Sequence, residues 1–229
     1  MLFLIPTVLS ADHYETIPAY VLDAVQSCSC FFVEDERTAR RFLKKLWPEM
    51  VIDNYTWYRI NPDDPEQRRN LLDVLQQGLH AGVLSEAGCP GIADPGQQLV
   101  AWAQDAGYVV RPLVGPSSIL LALMASGLNG QSFCFQGYLP VKEPERSARI
   151  RELDTEAHRK KRTQIFIETP YRNDHILAAL LSACQPDTRL CIAVDISGEH
   201  ESIRTKPIAA WRKEKPAIGK VPAIFLLGV

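Results

Sequence analysis

Two acidic residues, Glu34 and Asp35, directly follow the apolar run Phe31–Val33. Carboxylates at the end of a buried strand can take a proton from a hydroxyl group, or orient an ammonium group or a base. The alternative is structural, because acidic residues also stabilise the N-terminus of a helix through its dipole, here with Arg37 as a local partner. The position of the pair therefore predicts either catalysis or helix capping.

A loop rich in glycine follows a second apolar run. The stretch LSEAGCPGIADPG, residues 84–96, holds three glycines and two prolines between a predicted strand and a predicted helix. Glycine allows main-chain groups to approach a flat ligand closely. The stretch matches neither G-x-G-x-x-G nor G-x-x-x-x-G-K-[ST] and has no lysine, so a polyphosphate is a poor fit. A tight turn with Asp94 as helix cap and Pro95 in the first helical turn is the alternative.

Three further junctions carry polar or aromatic groups. Val114–Ser118 repeats the strand-to-helix pattern, although Ser117 could simply cap the next helix. Gly137–Lys142 and Glu168–Arg172 each join a tyrosine to a cation, a combination suited to stacking a base and holding a phosphate. Turn chemistry and surface charge explain each junction equally well by itself.

The composition is typical of an ordinary globular protein. Of 229 residues, 46% are hydrophobic and 23% charged, and the net charge is −2, so no global positive field attracts nucleic acid. No segment has the length of a membrane span or the features of an export signal, which predicts a cytoplasmic protein without a membrane partner. Six cysteines without a C-x-x-C pair are expected to be reduced, and the five histidines lack metal-ligand spacing, so no metal site is expected.

Apolar runs alternate with helical patterns along the chain, which predicts parallel α/β architecture. The pattern breaks near Ser126–Gly130, and we expect an N-terminal domain of residues 1–127 and a C-terminal domain of residues 128–229. The predicted strands are 2–5, 31–33, 81–84, 108–114, 133–136, 164–168, 190–195 and 223–227. The predicted helices are 17–25, 38–46, 66–79, 96–106, 145–157, 173–182 and 208–213, with one more carrying 119–125.

Taken together and in order, six segments resemble the tetrapyrrole methylase superfamily, the class III S-adenosylmethionine-dependent methyltransferases. Within it they are similar to the ribosomal RNA small subunit methyltransferase I branch, which methylates a ribose 2′-hydroxyl of a 16S cytidine. The matching segments are 34–38 (EDERT), 85–96 (SEAGCPGIADPG), 114–118 (VGPSS), 125–128 (ASGL), 137–142 (GYLPVK) and 168–172 (ETPYR).

The resemblance implies two α/β domains with the cofactor in the cleft between them, in a homodimer that acts on 16S RNA or the small ribosomal subunit. It also implies that main-chain groups bind S-adenosylmethionine, which carries no phosphate. Carried over position by position, the cofactor-binding residues are Ser85, Glu86, Ala87, Gly91, Ile92, Ser117, Ser118, Ile119, Glu168, Thr169, Pro170, Ala193, Val194, Pro222 and Ala223.

A ribose hydroxyl needs help to lose its proton, and Glu34, Asp35 and Lys142 are the candidates for this catalytic role or for seating the substrate. The chain departs from the family at Ile5–Ser10, where a Gly-Asn pair is lost, and at Asp195–Gly198. These departures leave two alternatives open. One is methylation of a small molecule such as a tetrapyrrole, and the other is an RNA-binding relative without catalysis.

Overall fold

The computed structural model describes residues 1–61 and 63–229. The chain divides into two compact units, Met1–Ser117 and Ser118–Val229. Each unit is built around one five-stranded sheet with helices packed on it, so the predicted α/β architecture is confirmed. The parallel pairing predicted from the strand–helix alternation holds for the first sheet, and it is wrong for most of the second sheet, where three of the four strand pairs are antiparallel.

The first unit holds an entirely parallel sheet in the order β3-β2-β4-β1-β5. Its strands are β1 (Leu2–Ile5), β2 (Cys30–Val33), β3 (Thr56–Arg59), β4 (Ala81–Leu84) and β5 (Val110–Pro112). Its helices are α1 (Val21–Ser27), α2 (Glu36–Leu46), α3 (Gln67–Gln76) and α4 (Gln97–Asp105), with short 3-10 helices at Tyr14–Thr16 and Ile52–Asn54.

The central strands of this sheet are covered on both faces. Every residue of β2 and β4 is buried, and Phe31 and Phe32 point to opposite faces with no exposed area. Continuous apolar strands are typical of parallel sheets between two helical layers. Because all strands of the sheet run the same way, the residues that follow β1, β2, β4 and β5 lie at one edge, where ligands of open α/β sheets bind.

The second unit holds a mixed sheet in the order β6-β7-β10-β8-β9. Strands β6 and β7 are parallel, whereas β10 runs antiparallel to both β7 and β8, and β9 is antiparallel to β8. Its strands are β6 (Phe133–Tyr138), β7 (Thr163–Ile167), β8 (Arg189–Val194), β9 (Ser202–Pro207) and β10 (Ala223–Gly228). Its helices are α5 (Ser118–Ser126), α6 (Glu145–Lys160), α7 (Asn173–Ala183) and α8 (Ile208–Glu214), with a 3-10 helix at Pro170–Arg172.

Helix α5 belongs to the second unit. It packs against β9 and β10, and the Thr205 hydroxyl donates a hydrogen bond to the Ser126 carbonyl at 2.8 Å. The boundary expected from the sequence, after residue 127, keeps this helix with the first domain, whereas the structural units divide before it. The apolar sequence of α5 gives no indication of which sheet it covers.

Two strands and one helix start differ from the sequence prediction. Strand β3 and strand β9 have no counterpart among the predicted strands, because both are edge strands with partly exposed, charged or aromatic residues. Helix α1 begins at Val21 and not at residue 17 as predicted, so Pro18 lies before the helix. Within the described residues, no helix combines the length and the hydropathy needed to cross a membrane.

Candidate functional site

The residues predicted to bind or react in the first unit lie together at the carboxyl edge of its sheet. Glu34 follows β2, and Ser85, Glu86 and Ala87 follow β4, the strand that pairs with β2 in register. Strand β1 ends beside β4 and leads into Thr7. The parallel topology therefore collects segments that are far apart in sequence.

Thr7 anchors the glycine-rich loop. Its backbone exchanges two hydrogen bonds with Gly88, at 2.9 Å and 3.2 Å, and its hydroxyl donates to the Ser85 carbonyl at 3.2 Å. Thr7 is 4% exposed, so these bonds are sheltered from water. Sequence reasoning did not select Thr7, because it lies in the segment that departs from the family pattern and carries no motif of its own.

Asp94 shapes the tip of the loop from inside. Its carboxylate accepts hydrogen bonds from the backbone N–H groups of Gly91 at 2.9 Å and Gly96 at 2.6 Å. Helix α4 begins only at Gln97, and no side chain caps it. The alternative in which Asp94 caps a helix starting at Pro95 is therefore wrong in detail, because the carboxylate closes a turn of the loop.

Glu34 and Asp35 have different environments although they are adjacent. Glu34 Oε1 accepts a hydrogen bond from the Glu86 backbone N–H at 3.0 Å, and burial, reinforced by the carboxylates of Asp94 and Glu86, raises the pKa of Glu34. Asp35 is the N-cap of α2: its carboxylate accepts from the Thr38 N–H at 2.9 Å, and this bond lowers the pKa of Asp35. Helix capping thus describes Asp35, whereas Glu34 faces the loop.

The outer part of the loop exposes main chain and has room for a ligand. Gly91 has φ of +82°, a backbone conformation that favours glycine, and no heavy atom lies within 4 Å of the position that a Cβ would occupy. Ile92 next to it is 56% exposed. Residues 84–96 hold neither lysine nor arginine. The loop therefore offers accessible main chain and none of the cations that a polyphosphate would need.

The second junction lies against the same loop. Gly115 approaches Pro6 so closely that an added Cβ would lie 2.1 Å from the proline Cβ, which requires glycine at this position. Cys89 Sγ lies 3.4 Å from the Pro116 carbonyl oxygen, and the Tyr20 hydroxyl accepts from the Val114 N–H at 2.6 Å. Ser117 ends the first unit, and Ser118 and Ile119 form the first turn of α5.

Apart from Ser118 and Ile119 in α5, the predicted residues of the second unit lie at one edge of its own sheet. Because β10 is antiparallel to β7 and β8, its start lies beside their carboxyl ends. This brings together three of the predicted pairs or groups, which are Glu168–Pro170 after β7, Ala193 and Val194 in β8, and Pro222 and Ala223 at the start of β10. Lys142 follows β6, which is parallel to β7, and is exposed at the same edge.

Glu168 is a buried carboxylate with defined partners. It is 8% exposed and accepts hydrogen bonds from the Thr169 backbone N–H at 2.7 Å and from Arg172 Nε at 3.0 Å. Asn173, fully buried, donates to the carbonyls of Gly219 at 3.1 Å and Val221 at 2.7 Å. Asn173 thereby positions the segment before β10, a role that no sequence motif indicates.

The rest of this edge is aromatic and cationic. Tyr138 is 58% exposed and Tyr171 76% exposed, and the Lys220 ammonium lies 5.4 Å from the centre of the Tyr171 ring. Exposed aromatic rings beside cations are typical of surfaces that bind single-stranded nucleic acid.

Comparison with known proteins gives a consistent family. The family model of Tetrapyrrole (Corrin/Porphyrin) Methylases matches residues 13–210. The chain is 32% identical over 209 residues to the ribosomal RNA small subunit methyltransferase I of Vibrio cholerae, covering 91% of this chain and 69% of that protein. It is 29% identical over 216 residues to the protein of the same name from Escherichia coli O157:H7, covering 93% and 72%.

Solved structures show the same fold at lower identity. The uroporphyrin-III C-methyl transferase of Thermus thermophilus, complexed with S-adenyl homocysteine, superposes with a TM-score of 0.59 at 17% identity, covering 99% of this chain and 96% of that one. The methyltransferase CobJ superposes with a TM-score of 0.60 at 18% identity, covering 93% and 88%. The fold and the family match agree, and the chain belongs to the tetrapyrrole methylase family of S-adenosylmethionine-dependent methyltransferases.

Proposed function

We propose that this protein methylates ribosomal RNA of the small subunit, at a ribose 2′-hydroxyl of 16S RNA. The observation that carries the proposal is the 32% identity, across 91% of the chain, to a relative named ribosomal RNA small subunit methyltransferase I. The ribose 2′-hydroxyl as the methylated group comes from the resemblance of the six sequence segments to that branch. The exposed tyrosines and cations at the edge of the second unit support an RNA acceptor. An RNA substrate also favours a cytoplasmic location.

S-adenosylmethionine supplies the methyl group from a sulfonium. In the first unit, the exposed main chain at Gly91 and Ile92 and the residues Ser85–Ala87 would hold it, together with Ser117. In the second unit we propose contacts from Ser118, Ile119, Glu168–Pro170, Ala193, Val194, Pro222 and Ala223. The first-unit loop is held by Thr7 and Asp94, so its shape is set before the ligand binds. Such pre-organisation reduces the loss of entropy on binding.

We propose Glu34 as the general base. A base is most effective when its pKa lies near the working pH, and burial shifts the pKa of Glu34 upward in that direction. Asp35 is engaged as the cap of α2 and its pKa is lowered, so it is the weaker candidate of the pair. Lys142, exposed in the second unit, is suited to holding an RNA phosphate.

A tetrapyrrole acceptor is the second candidate, because the structural neighbours include a uroporphyrin-III C-methyl transferase. We favour RNA because identity to that neighbour is 17%, whereas identity to the ribosomal RNA enzymes is 29–32% over similar lengths. The third possibility, an RNA-binding relative without catalysis, predicts cofactor-independent RNA affinity and no methyl transfer.

The deciding experiment is transfer of labelled methyl groups. The protein is incubated with labelled S-adenosylmethionine and, separately, with 30S subunits lacking their native methylations, free 16S RNA and uroporphyrinogen. We expect label in RNA, resistant to alkaline hydrolysis at one phosphodiester because its 2′-hydroxyl is blocked. Label in the tetrapyrrole alone would refute the RNA proposal, and calorimetry that detects no cofactor binding would refute methyl transfer altogether.

We also propose that two copies form a homodimer through α5. Leu120 is 51% exposed and Met124 78% exposed, one turn apart on a helix that has no charged residue. Contiguous apolar surface of this kind commonly marks an interface between proteins. Light scattering should show a dimer that Met124→Lys converts to monomer, and a monomeric parent protein would contradict the proposal.

A further inference from the structure

A pocket of about 330 Å³ lies in the first unit, beside the glycine-rich loop. It is bounded by the segment that follows β1, by one face of α2 between Thr38 and Lys45, and by Ser85–Ala87. The lining residues include Leu9, Ser10, Tyr14, Arg41, Phe42 and Lys45. The segment after β1 is one of the two places where the chain departs from the family pattern, so part of the pocket wall is particular to this sequence.

One side of the pocket is aromatic. Tyr14 stacks on Phe42, with ring centres 5.6 Å apart and an angle of 20° between the planes. Phe42 is buried and Tyr14 is half-buried, and both residues line the pocket. Stacking on an aromatic side chain is a common way in which proteins hold an unstacked base.

The other side is cationic and polar. Arg41 is exposed, and among the residues the structure describes no carboxylate lies within ion-pair distance of it. Lys45 lies 5.6 Å from the centre of the Tyr14 ring and forms an ion pair with Asp12. A guanidinium without an acidic partner at the mouth of a pocket suits a phosphate.

The glycine-rich loop connects the pocket to the proposed base. Thr38, another pocket residue, donates its hydroxyl proton to Glu86 Oε1 at 2.7 Å. The backbone N–H of the same Glu86 donates to Glu34 Oε1 at 3.0 Å. Glu86 therefore lines the pocket and also contacts Glu34, so a ligand in the pocket would be separated from the Glu34 carboxylate by Glu86 alone.

We infer that this pocket holds a single unstacked nucleotide of the acceptor RNA, with the base against the Tyr14–Phe42 wall and a phosphate at Arg41. The inference rests on the proposed RNA substrate and adds its binding place. At about 330 Å³ the pocket is near the lower limit of roughly 300–1,000 Å³ for small-molecule sites, a size that suits one nucleotide better than a tetrapyrrole macrocycle.

Direct binding tests the pocket without requiring methyl transfer. The probe is cytidine 5′-monophosphate, a pyrimidine nucleotide chosen to differ from the adenosine of the cofactor, titrated by NMR in the presence of saturating S-adenosylhomocysteine. We expect chemical-shift changes at Tyr14 and Phe42 when the nucleotide binds. Ser10→Trp, which fills the pocket, and Arg41→Gln should each lower the nucleotide affinity at least tenfold. The control Arg68→Gln removes an exposed arginine of α3 outside the pocket and should change nothing.

Methyl transfer to RNA supplies the second readout. Ser10→Trp and Arg41→Gln should lower kcat/KM for RNA at least tenfold while the affinity for S-adenosylhomocysteine, measured by calorimetry, stays within twofold. Normal kcat/KM in both variants, or displacement of the nucleotide by S-adenosylhomocysteine, would overturn the inference. If the parent protein binds the nucleotide at Tyr14 and Phe42 yet methylates no RNA, the pocket stands and the proposed function fails.

Discussion

The two sheet edges that carry the predicted site residues are built from different chemistry. In the first unit the edge consists mainly of main chain. Its loop has three glycines, is held by Thr7 from the segment after β1 and by its own Asp94, and has carboxylates and no cation between residues 84 and 96. In the second unit the edge consists mainly of side chains, which are the buried Glu168 carboxylate paired with Arg172, exposed tyrosines and exposed lysines.

This difference follows from topology. All strands of the first sheet are parallel, so each one delivers a new loop to the same edge and the loops can brace one another. In the second sheet β10 is antiparallel to its neighbours and starts at this edge, and the segment before it is held by hydrogen bonds from Asn173. An edge made of loops that bond one another has a fixed main-chain shape. At an edge of long side chains, the charged groups can move to follow a flexible ligand.

Removing the carboxylate of Glu34 should have the largest effect. Glu34→Gln keeps the shape but cannot accept a proton, and we expect kcat to fall by about 10²–10⁴, with cofactor affinity retained. In the parent protein the rate should decrease as the pH falls through the pKa of Glu34, at a higher pH than for an ordinary glutamate because burial raises that pKa. Methyl-transfer rates across pH measure both effects.

The neighbouring carboxylate is the matched control. Asp35→Ala removes the cap of α2, so the free energy of unfolding should decrease measurably while kcat changes little. A large loss of kcat in Asp35→Ala together with normal kcat in Glu34→Gln would reverse the roles assigned here.

Filling the loop of the first unit tests its main-chain character. Gly91→Trp places a large side chain where the cofactor is proposed to lie, and we expect about a 100-fold loss of S-adenosylhomocysteine affinity, equivalent to about 2.7 kcal/mol. Gly78→Trp is the control, since Gly78 also has positive φ and open space around its Cβ position but follows α3. Calorimetry that shows equal affinity in the two variants would place the cofactor elsewhere.

The burial of a strand decided whether the sequence could predict it. The strands β1, β2 and β4 are continuous apolar runs, and their burial on both faces makes the pattern unambiguous. Strand β9, with alternating charges at a sheet edge, lacks that signal. The glycine-rich loop is recognisable because its backbone conformation demands particular residues, such as glycine at position 91.

Contacts between distant segments are the part that the sequence does not contain. The difference between Glu34 and Asp35 depends on which of them meets the Glu86 N–H, and this is decided by the pairing of β2 with β4. The pocket beside Arg41 depends on the path of the chain after β1, where no motif is present. Residue propensity and spacing predict helices, strands and loops, whereas contacts between distant segments are known only from the tertiary structure.

Breaking the ion pair of the second unit should affect stability more than binding. Arg172→Met leaves the Glu168 carboxylate buried without its cation, and we expect a loss of about 2 kcal/mol, less than the roughly 3–5 kcal/mol for fully buried pairs, because the Arg172 side chain is 27% exposed. Urea unfolding measures the change. The double variant with Glu168→Gln should recover part of it, and Arg159→Met, an exposed arginine of α6, should have no effect.

The smallest effect should come from a single surface cation at the second edge. Lys142→Gln removes one proposed phosphate contact, so RNA affinity should fall a few-fold and the slope of log K against log salt should decrease by about 1. Arg146→Gln should change the slope less, because Arg146 is already paired with Glu143 at 2.8 Å. Filter binding of 16S RNA between about 50 and 200 mM salt gives both slopes, and an unchanged slope in Lys142→Gln would mean that RNA binds without this edge.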